Sequence, residues 1–207
     1  MNHKKILRIM KEQHLLAKVR RKKNTFFTGT ECKAAPNIIK RRFKADKPNQ
    51  KWYTDITYLL IGDSPLYLSV IMDGFNGEII GNKISKKQDI ELVKDTLKQA
   101  VISTRASGVI LHSDQGSVYK STEFQKCITE NSITMSMSRR GNCHDNAAME
   151  SFFSSLKTEV FYSQNIKKIS NTELTNLVLE YIQYYNYERI QAKLNYLSPI
   201  DYRKKAV

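Results

Sequence analysis

Residues 52–58 read Trp-Tyr-Thr-Asp-Ile-Thr-Tyr, a stretch of β-branched and aromatic residues that predicts a β-strand. Asp55 stands in the middle of this stretch, where a carboxylate is costly unless it has a partner. Asp114 ends another apolar stretch, residues 109–114, and Glu150 lies in a helical pattern with 35 residues between it and Asp114. Two carboxylates on strands and a third on a helix suggest a shared site for a divalent metal ion.

The pattern around these residues predicts an α/β fold. The predicted strands are residues 52–61, 66–72, 78–84, 108–112 and 132–136. The predicted helices are residues 88–102, 121–130, 146–161, one that starts at Ser170 with Glu173 completing a capping box, and a last turn from Ser198-Pro199. The first three strands have short links and predict an antiparallel meander. The later strands alternate with helices and predict parallel pairing, so we expect a mixed five-stranded sheet with helices on both faces.

The positive charge is concentrated at the N-terminus. Of the net charge of +14, residues 1–47 contribute 15 Lys and Arg against 3 Asp and Glu, whereas the remaining residues hold 19 against 17. Such an arm can neutralise phosphates and give salt-sensitive affinity for nucleic acid, although a merely solvated basic tail has the same composition. We therefore divide the chain into a basic arm, residues 1–47, and a core, residues 48–207.

Within the arm, residues 3–14 predict a short helix with Asn2 as its N-cap. Residues 24–50 contain Gly29, Pro36 and Pro48 and predict a linker.

Three motifs occur in order along the core: the stretch 52–58, then His-Ser-Asp-Gln-Gly at 112–116, then Gly-Asn-Cys-His-Asp-Asn-Ala-Ala-Met-Glu-Ser-Phe-Phe at 141–153. Together they resemble the integrase core of the insertion sequence three family of bacterial transposases, from about Trp52 to Tyr202. One departure lies near the C-terminus, where the family tends to have Tyr-Asn…Arg-x-His. Here Arg189-Ile190 is followed by Gln191.

The resemblance implies a fold like that of ribonuclease H and retroviral integrase. It implies that Asp55, Asp114 and Glu150 are the catalytic residues and the metal ligands of a DDE transposase, a polynucleotidyl transferase that uses two Mg²⁺ (or Mn²⁺) ions. We expect Asp55 to bridge both ions, Asp114 to hold one and Glu150 to hold the other. Without metal the carboxylates repel one another, which raises some of their pKa values and makes metal binding pH-dependent.

The candidate DNA-binding residues are Lys157, Arg139, Arg140, Arg20, Arg21, Lys22 and Lys23. Lys157 shares a helix face with Glu150 at spacing i, i+7, and the resemblance implies that it contacts DNA; the alternative is a solvated surface lysine. The two arginines at 139 and 140 lie in a polar, Gly-containing loop that suits a flexible flap gripping DNA, or a plain surface loop. The other four belong to the arm.

Other polar residues near the motifs have simpler interpretations. Asp73 and Asp63 are expected in turns, with a fourth metal ligand as the alternative for Asp73. Asp145 and Asn146 precede the Glu150 helix and are expected to cap it. His112 lies on the Asp114 side of its strand and is expected to be structural, with a place near the phosphate as the alternative.

The expected partners are double-stranded DNA (element ends and target), further copies of the chain on DNA, and an upstream helix-turn-helix product of an overlapping frame. No membrane partner is expected, because the chain has no run of about 18 apolar residues and no secretory signal at its start. Three widely spaced cysteines suit a reducing compartment, so we expect a cytoplasmic protein, and the resemblance implies that it is bacterial and nucleoid-associated. No C-x-x-C spacing suggests zinc.

The sequence thus favours a metal-dependent transposase that cuts the 3′ ends of its element and joins them to target DNA. A ribonuclease-H-like nuclease and a decayed transposase remnant that binds DNA without transposing are the alternatives.

Overall fold

The computed structural model of the chain describes residues 2–13, 33–60, 64–139, 146–162 and 169–206. Its strands are β1 (Lys51–Leu59), β2 (Leu66–Asp73), β3 (Ile79–Ser85), β4 (Ile110–Ser113) and β5 (Thr134–Met137). They form one five-stranded sheet in the order β3-β2-β1-β4-β5. The first three strands pair antiparallel, and β4 joins β1 and β5 in parallel. The predicted mixed sheet is therefore confirmed.

The helices are α1 (His3–Glu12), α2 (Ile90–Thr104), α3 (Thr122–Glu130), α4 (Ala147–Leu156), α5 (Asn171–Tyr187) and α6 (Pro199–Ala206). Local sequence explains their starts, because Asn2, Asp89 and Ser121 each accept a backbone N–H of the first turn. The capping box of Ser170 and Glu173 is present as predicted.

One helix differs from its prediction. The pattern over residues 146–161 predicts a single α-helix, but α4 ends at Leu156 and continues as a π-helical turn, Lys157–Tyr162. A π-helical turn adds a residue to the hydrogen-bonded ring and rotates the side chains that follow. Glu159 in this turn then lies against Arg189 from beyond α5.

The sheet separates two hydrophobic clusters. One lies under α4 and α5 and includes Tyr53, Met149 and Phe152. The other lies under α2 and α3 and includes Trp52 and Leu97. Since successive residues of β1 point to opposite faces, Tyr53 and Asp55 share the α4 face.

Residues 33–50 lie on the core. They are irregular, as expected of a linker, but Ile39 and Ala45 are buried. Ile39 belongs to the cluster under α4, and Ala45 donates its N–H to Gly74 O. The predicted linker is thus partly packed, because it carries apolar residues that the sheet can cover. The boundary at residue 47 stays a prediction.

Within the described ranges, no helix combines the length and the apolar composition needed to span a membrane.

Candidate functional site

The three predicted carboxylates are carried by neighbouring elements on one side of the sheet. Asp55 lies in the middle of β1, opposite Val70 of β2. Asp114 directly follows β4, and because Tyr53 pairs with His112, Asp114 lies level with Asp55 on the adjacent parallel strand. Glu150 projects from the first turn of α4, which contacts β1 on this face.

Asp55 and Glu150 face the same surface groove, whose volume is about 420 Å³. The groove is lined by Asp55, Ile56, Thr57, Glu150, Phe153, Ser154, Lys157 and Thr158. The residues predicted to share a helix face thus line one groove, with Lys157 in the turn that follows α4. Glu150 is exposed and Asp55 is half-buried, so the groove is open to a large substrate.

The electrostatics of the groove centre on Asp55. Burial, followed by the charge of Asp114, raises the pKa of Asp55 to about 7, and Glu150 adds to this. The Ile56 N–H, 2.7 Å from Asp55 Oδ1, and the charge of Lys157 act in the opposite direction on that pKa. A carboxylate held with other carboxylates in this way is stabilised by a cation.

Asp114 is exposed, and its side chain is turned towards its own loop. Its Oδ1 accepts the N–H of Gly116 at 2.8 Å. A Cβ at Gly116 would lie 2.9 Å from that oxygen, so a side chain there would displace the carboxylate. Across the described residues, no three His, Cys, Asp or Glu side chains are gathered closely enough to hold a metal ion. The three carboxylates are thus neighbours but do not form one coordination cluster.

On the opposite face of the sheet, Tyr119 lies beside Thr54, the residue before Asp55. This side chain is buried, and its hydroxyl lies 3.4 Å from Thr54 Oγ1, which donates to Val70 O at 2.9 Å. Burial and then the charge of Asp55 raise the pKa of Tyr119 well above its ordinary value. Sequence reasoning missed both Tyr119 and Gly116. Their closeness in sequence to Asp114 was the signal that could have identified them.

Asn146 does not act as predicted. It occupies the N-cap position of α4, but its side chain makes no capping hydrogen bond. Its Nδ2 instead donates to Thr54 O at 3.5 Å, a long contact across to the strand of Asp55. The burial of Asn146 against β1 turns its amide away from the helix end. Asp145, the other predicted cap, lies outside the described residues.

His112 and Asp73 have structural surroundings. His112 is buried, with Nδ1 2.9 Å from Ser136 Oγ and Nε2 3.2 Å from Ser138 Oγ. Asp73 is also buried and accepts the N–H groups of Asn49 and Phe75 at 2.8 and 3.0 Å. Asp73 is the last residue of β2, and its contact with the Phe75 N–H two residues on supports the turn interpretation. Asp63 is outside the described residues.

The basic candidates fall into two groups. Lys157 lines the groove, and Arg139 is exposed just beyond β5. The other candidates lie outside the described residues: Arg140, Arg20, Arg21, Lys22 and Lys23.

The chain is similar to known families and proteins over its whole core. The integrase core domain profile matches residues 45–143, and a second profile of the same description matches residues 150–207. An uncharacterised transposase-like protein of Haemophilus influenzae is 44% identical over all of this chain and 94% of that protein. The transposase for insertion sequence element IS904 of Lactococcus lactis is 36% identical over 98% of this chain and 81% of that protein. Transposase InsF for insertion sequence IS3A of Escherichia coli is 34% identical over 99% and 71%.

Solved structures share the fold at lower identity. The simian T-cell lymphotropic virus intasome includes a chain with a TM-score of 0.62 and 20% identity, which covers 92% of this chain and 63% of that one. The HTLV-2 integrase catalytic core domain, solved in complex with magnesium, has a TM-score of 0.59 and 18% identity over 77% of this chain and 99% of that one. The fold is therefore the ribonuclease-H-like fold of integrase cores.

Proposed function

This chain belongs to the insertion sequence three family of transposases with an integrase core, and from that premise we propose that it is a DDE transposase. In this proposal it cuts the 3′ ends of its element and joins them to target DNA. The observation that carries the proposal is the meeting of Asp55 and Glu150 in one open groove, with Asp114 level on the next strand.

The donor set fits magnesium or manganese. Asp55, Asp114 and Glu150 offer only hard carboxylate oxygens, which these ions prefer. The raised pKa of Asp55 reflects its burial and then the charges of Asp114 and Glu150, and a bound cation would offset both effects. In the proposal Asp55, Asp114 and Glu150 are the residues that would hold the metal. Such ions, when bound, supply the acidification of the attacking hydroxyl and the neutralisation of charge on the phosphate.

The chain's own residues have the remaining roles. Lys157, on the same helix face as Glu150, places a cation where a phosphate group beside the reacting one would lie. The short hydroxyl side chains of Ser154 and Thr158 leave room in the groove for a polymer backbone. The Lys157 ammonium would contact phosphate and not the edges of the bases. Its contact would therefore contribute affinity but no sequence preference.

The proposed partners follow from this role. The element ends and target are double-stranded DNA, and two ends require more than one copy of the chain. The arm would add sequence-independent affinity through its basic residues. An upstream helix-turn-helix product is the proposed source of end recognition. The α1 side chains of Ile6, Leu7 and Ile9 are exposed, so this helix has apolar surface for such a partner.

The departure from the family motif at Gln191 bears on the remnant alternative. The departure at Gln191 concerns a residue whose backbone pairs with Leu197 in the C-terminal packing, away from the groove. It therefore offers no direct reason for an inactive groove.

The decisive experiment is strand transfer on labelled DNA carrying the element's own ends, with Mg²⁺ or Mn²⁺. Glu150→Gln and Asp114→Asn test the acidic residues. Glu123→Gln is the matched control for Glu150→Gln, since Glu123 is also an exposed acid in a first helical turn, on α3. A scrambled-end duplex controls for specificity.

We expect end-specific joined product with the wild type and Glu123→Gln, and none with Glu150→Gln or Asp114→Asn. Hydrolysis of an RNA–DNA hybrid without joining would favour the nuclease. Salt-sensitive DNA binding without turnover would favour the remnant. Joining retained by Asp114→Asn would refute the assignment of the acidic residues.

A further inference from the structure

The segment before β1 contains an unusual turn, Ile39-Lys40-Arg41-Arg42. The N–H of Arg42 donates to Ile39 O at 2.9 Å, and both central residues have positive φ, 48° at Lys40 and 64° at Arg41. Two positive φ values at the central positions define a type I′ turn, for which Asn-Gly is the preferred pair. The chain instead places two long basic side chains there.

The backbone of this turn is strained for the residues it holds. Lysine and arginine have a Cβ that clashes in the left-handed region, and neither has the short polar side chain that lets Asn adopt it. The N–H of Lys40 donates to Asn37 Oδ1 at 2.8 Å, which holds the first strained residue in place. Strain that the surrounding structure maintains is a reason to look for function.

The turn is fastened to the sheet on both sides. Before it, the Ile38 N–H donates to Ser136 Oγ of β5 at 3.0 Å. After it, the Tyr53 hydroxyl donates to Phe43 O at 2.6 Å. Ile39 itself is buried in the cluster under α4, whereas Lys40, Arg41 and Arg42 are exposed.

These attachments place the turn near the groove. Tyr53 lies two residues before Asp55 on β1 and points to the same face. Ser136 contacts His112, which lies two residues before Asp114. Two strand residues span about 7 Å, so Tyr53 and His112 each lie about 7 Å along the chain from the carboxylate that follows.

The surroundings of the turn are strongly basic. Residues 33–50 contain six Lys and Arg and a single acid, Asp46. The Lys51 ammonium donates to the carbonyls of Arg42 and Lys44 at 2.8 and 2.7 Å and so ties the end of the turn to β1. A rigid pair of exposed cations on a neutral core matches the phosphate backbone of a nucleic acid.

We propose that Lys40 and Arg41 form a rigid phosphate-contacting turn for the DNA whose reacting phosphate lies between Asp55 and Glu150. This inference rests on the function proposed above and adds a contact surface on the ordered core. Both side chains are exposed, and the two attachments hold the backbone of the turn on the sheet that carries the carboxylates.

The test is the double variant Lys40→Asn/Arg41→Gly, which installs the preferred pair for this turn. Because the strain is removed, we expect Tm to rise by about 2–4 °C. Because two phosphate contacts are lost, we expect weaker binding to a labelled duplex carrying an element end. The slope of log K against log salt should become less negative by about 2.

The charge-matched control is Lys98→Gln/Lys126→Gln. Both lysines are exposed on α2 and α3, on the opposite face of the sheet, so their loss should leave the salt slope and Tm nearly unchanged. Lys40→Gln/Arg41→Gln is a second test that removes both charges but keeps side chains with a Cβ on the strained backbone, and it should weaken binding without raising Tm.

A stabilised double variant with wild-type affinity and salt slope would overturn the inference. A Lys40→Asn/Arg41→Gly variant that melts below the wild type would overturn the strain argument, and unchanged binding in Lys40→Gln/Arg41→Gln would then overturn the contact as well. Strand transfer by the wild type is measured in parallel. Its failure counts against the proposed function, whereas unchanged binding in the double variant counts against the turn alone.

Discussion

Asp55 shows how one residue can be unfavourable for folding and suited to function. A carboxylate in the middle of a central strand loses hydration, and the nearby charges of Asp114 and Glu150 repel it. The strand nevertheless keeps it, with an N–H from Ile56 and the charge of Lys157 as partial compensation. A bound cation would offset both the lost hydration and the repulsion, and the proposed metal site therefore explains why a carboxylate stands at this position.

This reasoning predicts how stability changes with pH in metal-free buffer. A carboxyl group whose pKa is about 7 in the folded state, and near 4 when unfolded, binds its proton more tightly in the folded chain. Stability should therefore be full below about pH 4 and should fall as pH rises through 7. Asp55→Asn lacks this decline and should be more stable than the wild type at pH 8 by about 1–3 kcal/mol.

The measurement is urea unfolding of both proteins in EDTA at pH 5 and pH 8. The gap between them should widen towards pH 8, while strand transfer by Asp55→Asn is lost. A constant gap would mean that Asp55 is not the group that titrates.

At the scale of elements, the Tyr-Asn…Arg part of the C-terminal motif joins α5 to its neighbours. The amide of Asn186 both donates to Ile79 O and accepts the Ile79 N–H, so it occupies the open edge of β3. Arg189 makes a bidentate contact with Glu159, its shortest distance being 2.6 Å, and the Tyr181 hydroxyl donates to the same carboxylate. These contacts hold the π-helical turn that extends α4, the helix of Glu150.

The pH dependence of this ion pair has the opposite sign to that of Asp55. Hydrogen bonding to Arg189 lowers the pKa of Glu159. The pair therefore stabilises the fold fully when the pH is above the ordinary pKa of a glutamate side chain. That contribution is lost as pH falls through the lowered pKa. Glu159→Gln should cost about 1 kcal/mol at pH 7, since both side chains are partly exposed, and less at pH 3.

The control for Glu159→Gln is Glu180→Gln, on the exposed side of α5. Urea unfolding at the two pH values should show no difference between this control and the wild type. An equal loss of stability for Glu159→Gln at both pH values would show that its packing matters and its charge does not.

Much of this element structure could be predicted from sequence, because it depends on neighbours in the chain. Strand alternation, the capping box at Ser170 and the meander turns are local signals. The missed features depend on residues far apart in sequence. The contact of Tyr119 with Thr54 spans 65 positions, and that of Asn146 with Thr54 spans 92. The Asn146 side chain had a local use as a cap, and packing against β1 overrode it.

The same division between predictable and unpredictable features applies to Asp55, Asp114 and Glu150. Their elements and their common side of the sheet could be predicted from strand and helix periods. The rotation of Asp114 towards Gly116 could not, because it depends on the backbone of its own loop. The strain at Lys40 and Arg41 could not be predicted either, since nothing in the local sequence favours positive φ there.

At the scale of the whole molecule, the two faces of the sheet have different tasks. The α2 and α3 face is a packed cluster, whereas the α4 face carries the groove, the basic turn and the C-terminal contacts. The net positive charge of the chain lies mainly before β1. Nucleic acid attracted by Lys40 and Arg41, which follow the buried Ile39, would meet the sheet on its α4 side.

The whole fold should respond to a divalent metal ion. Since the carboxylates are neighbours but not gathered, binding must first move Asp114 and Glu150, which makes affinity modest. At a metal concentration about 100 times Kd, binding adds about 2.7 kcal/mol to the free energy of unfolding, which corresponds to a rise in Tm of about 5–10 °C. The measurement is thermal unfolding with Mn²⁺ or Mg²⁺, reversed by EDTA.

The variants make this response specific to the groove. Asp55→Asn and Glu150→Gln should lose the metal-dependent rise in Tm, because each removes a proposed ligand. Asp73→Asn is the matched control: it should lower Tm throughout, since its carboxylate accepts two buried N–H groups, and yet keep the metal-dependent rise. A metal-dependent rise in Tm that survives in Asp55→Asn and vanishes in Asp73→Asn would show that the metal binds at Asp73, the last residue of β2, and not in the groove.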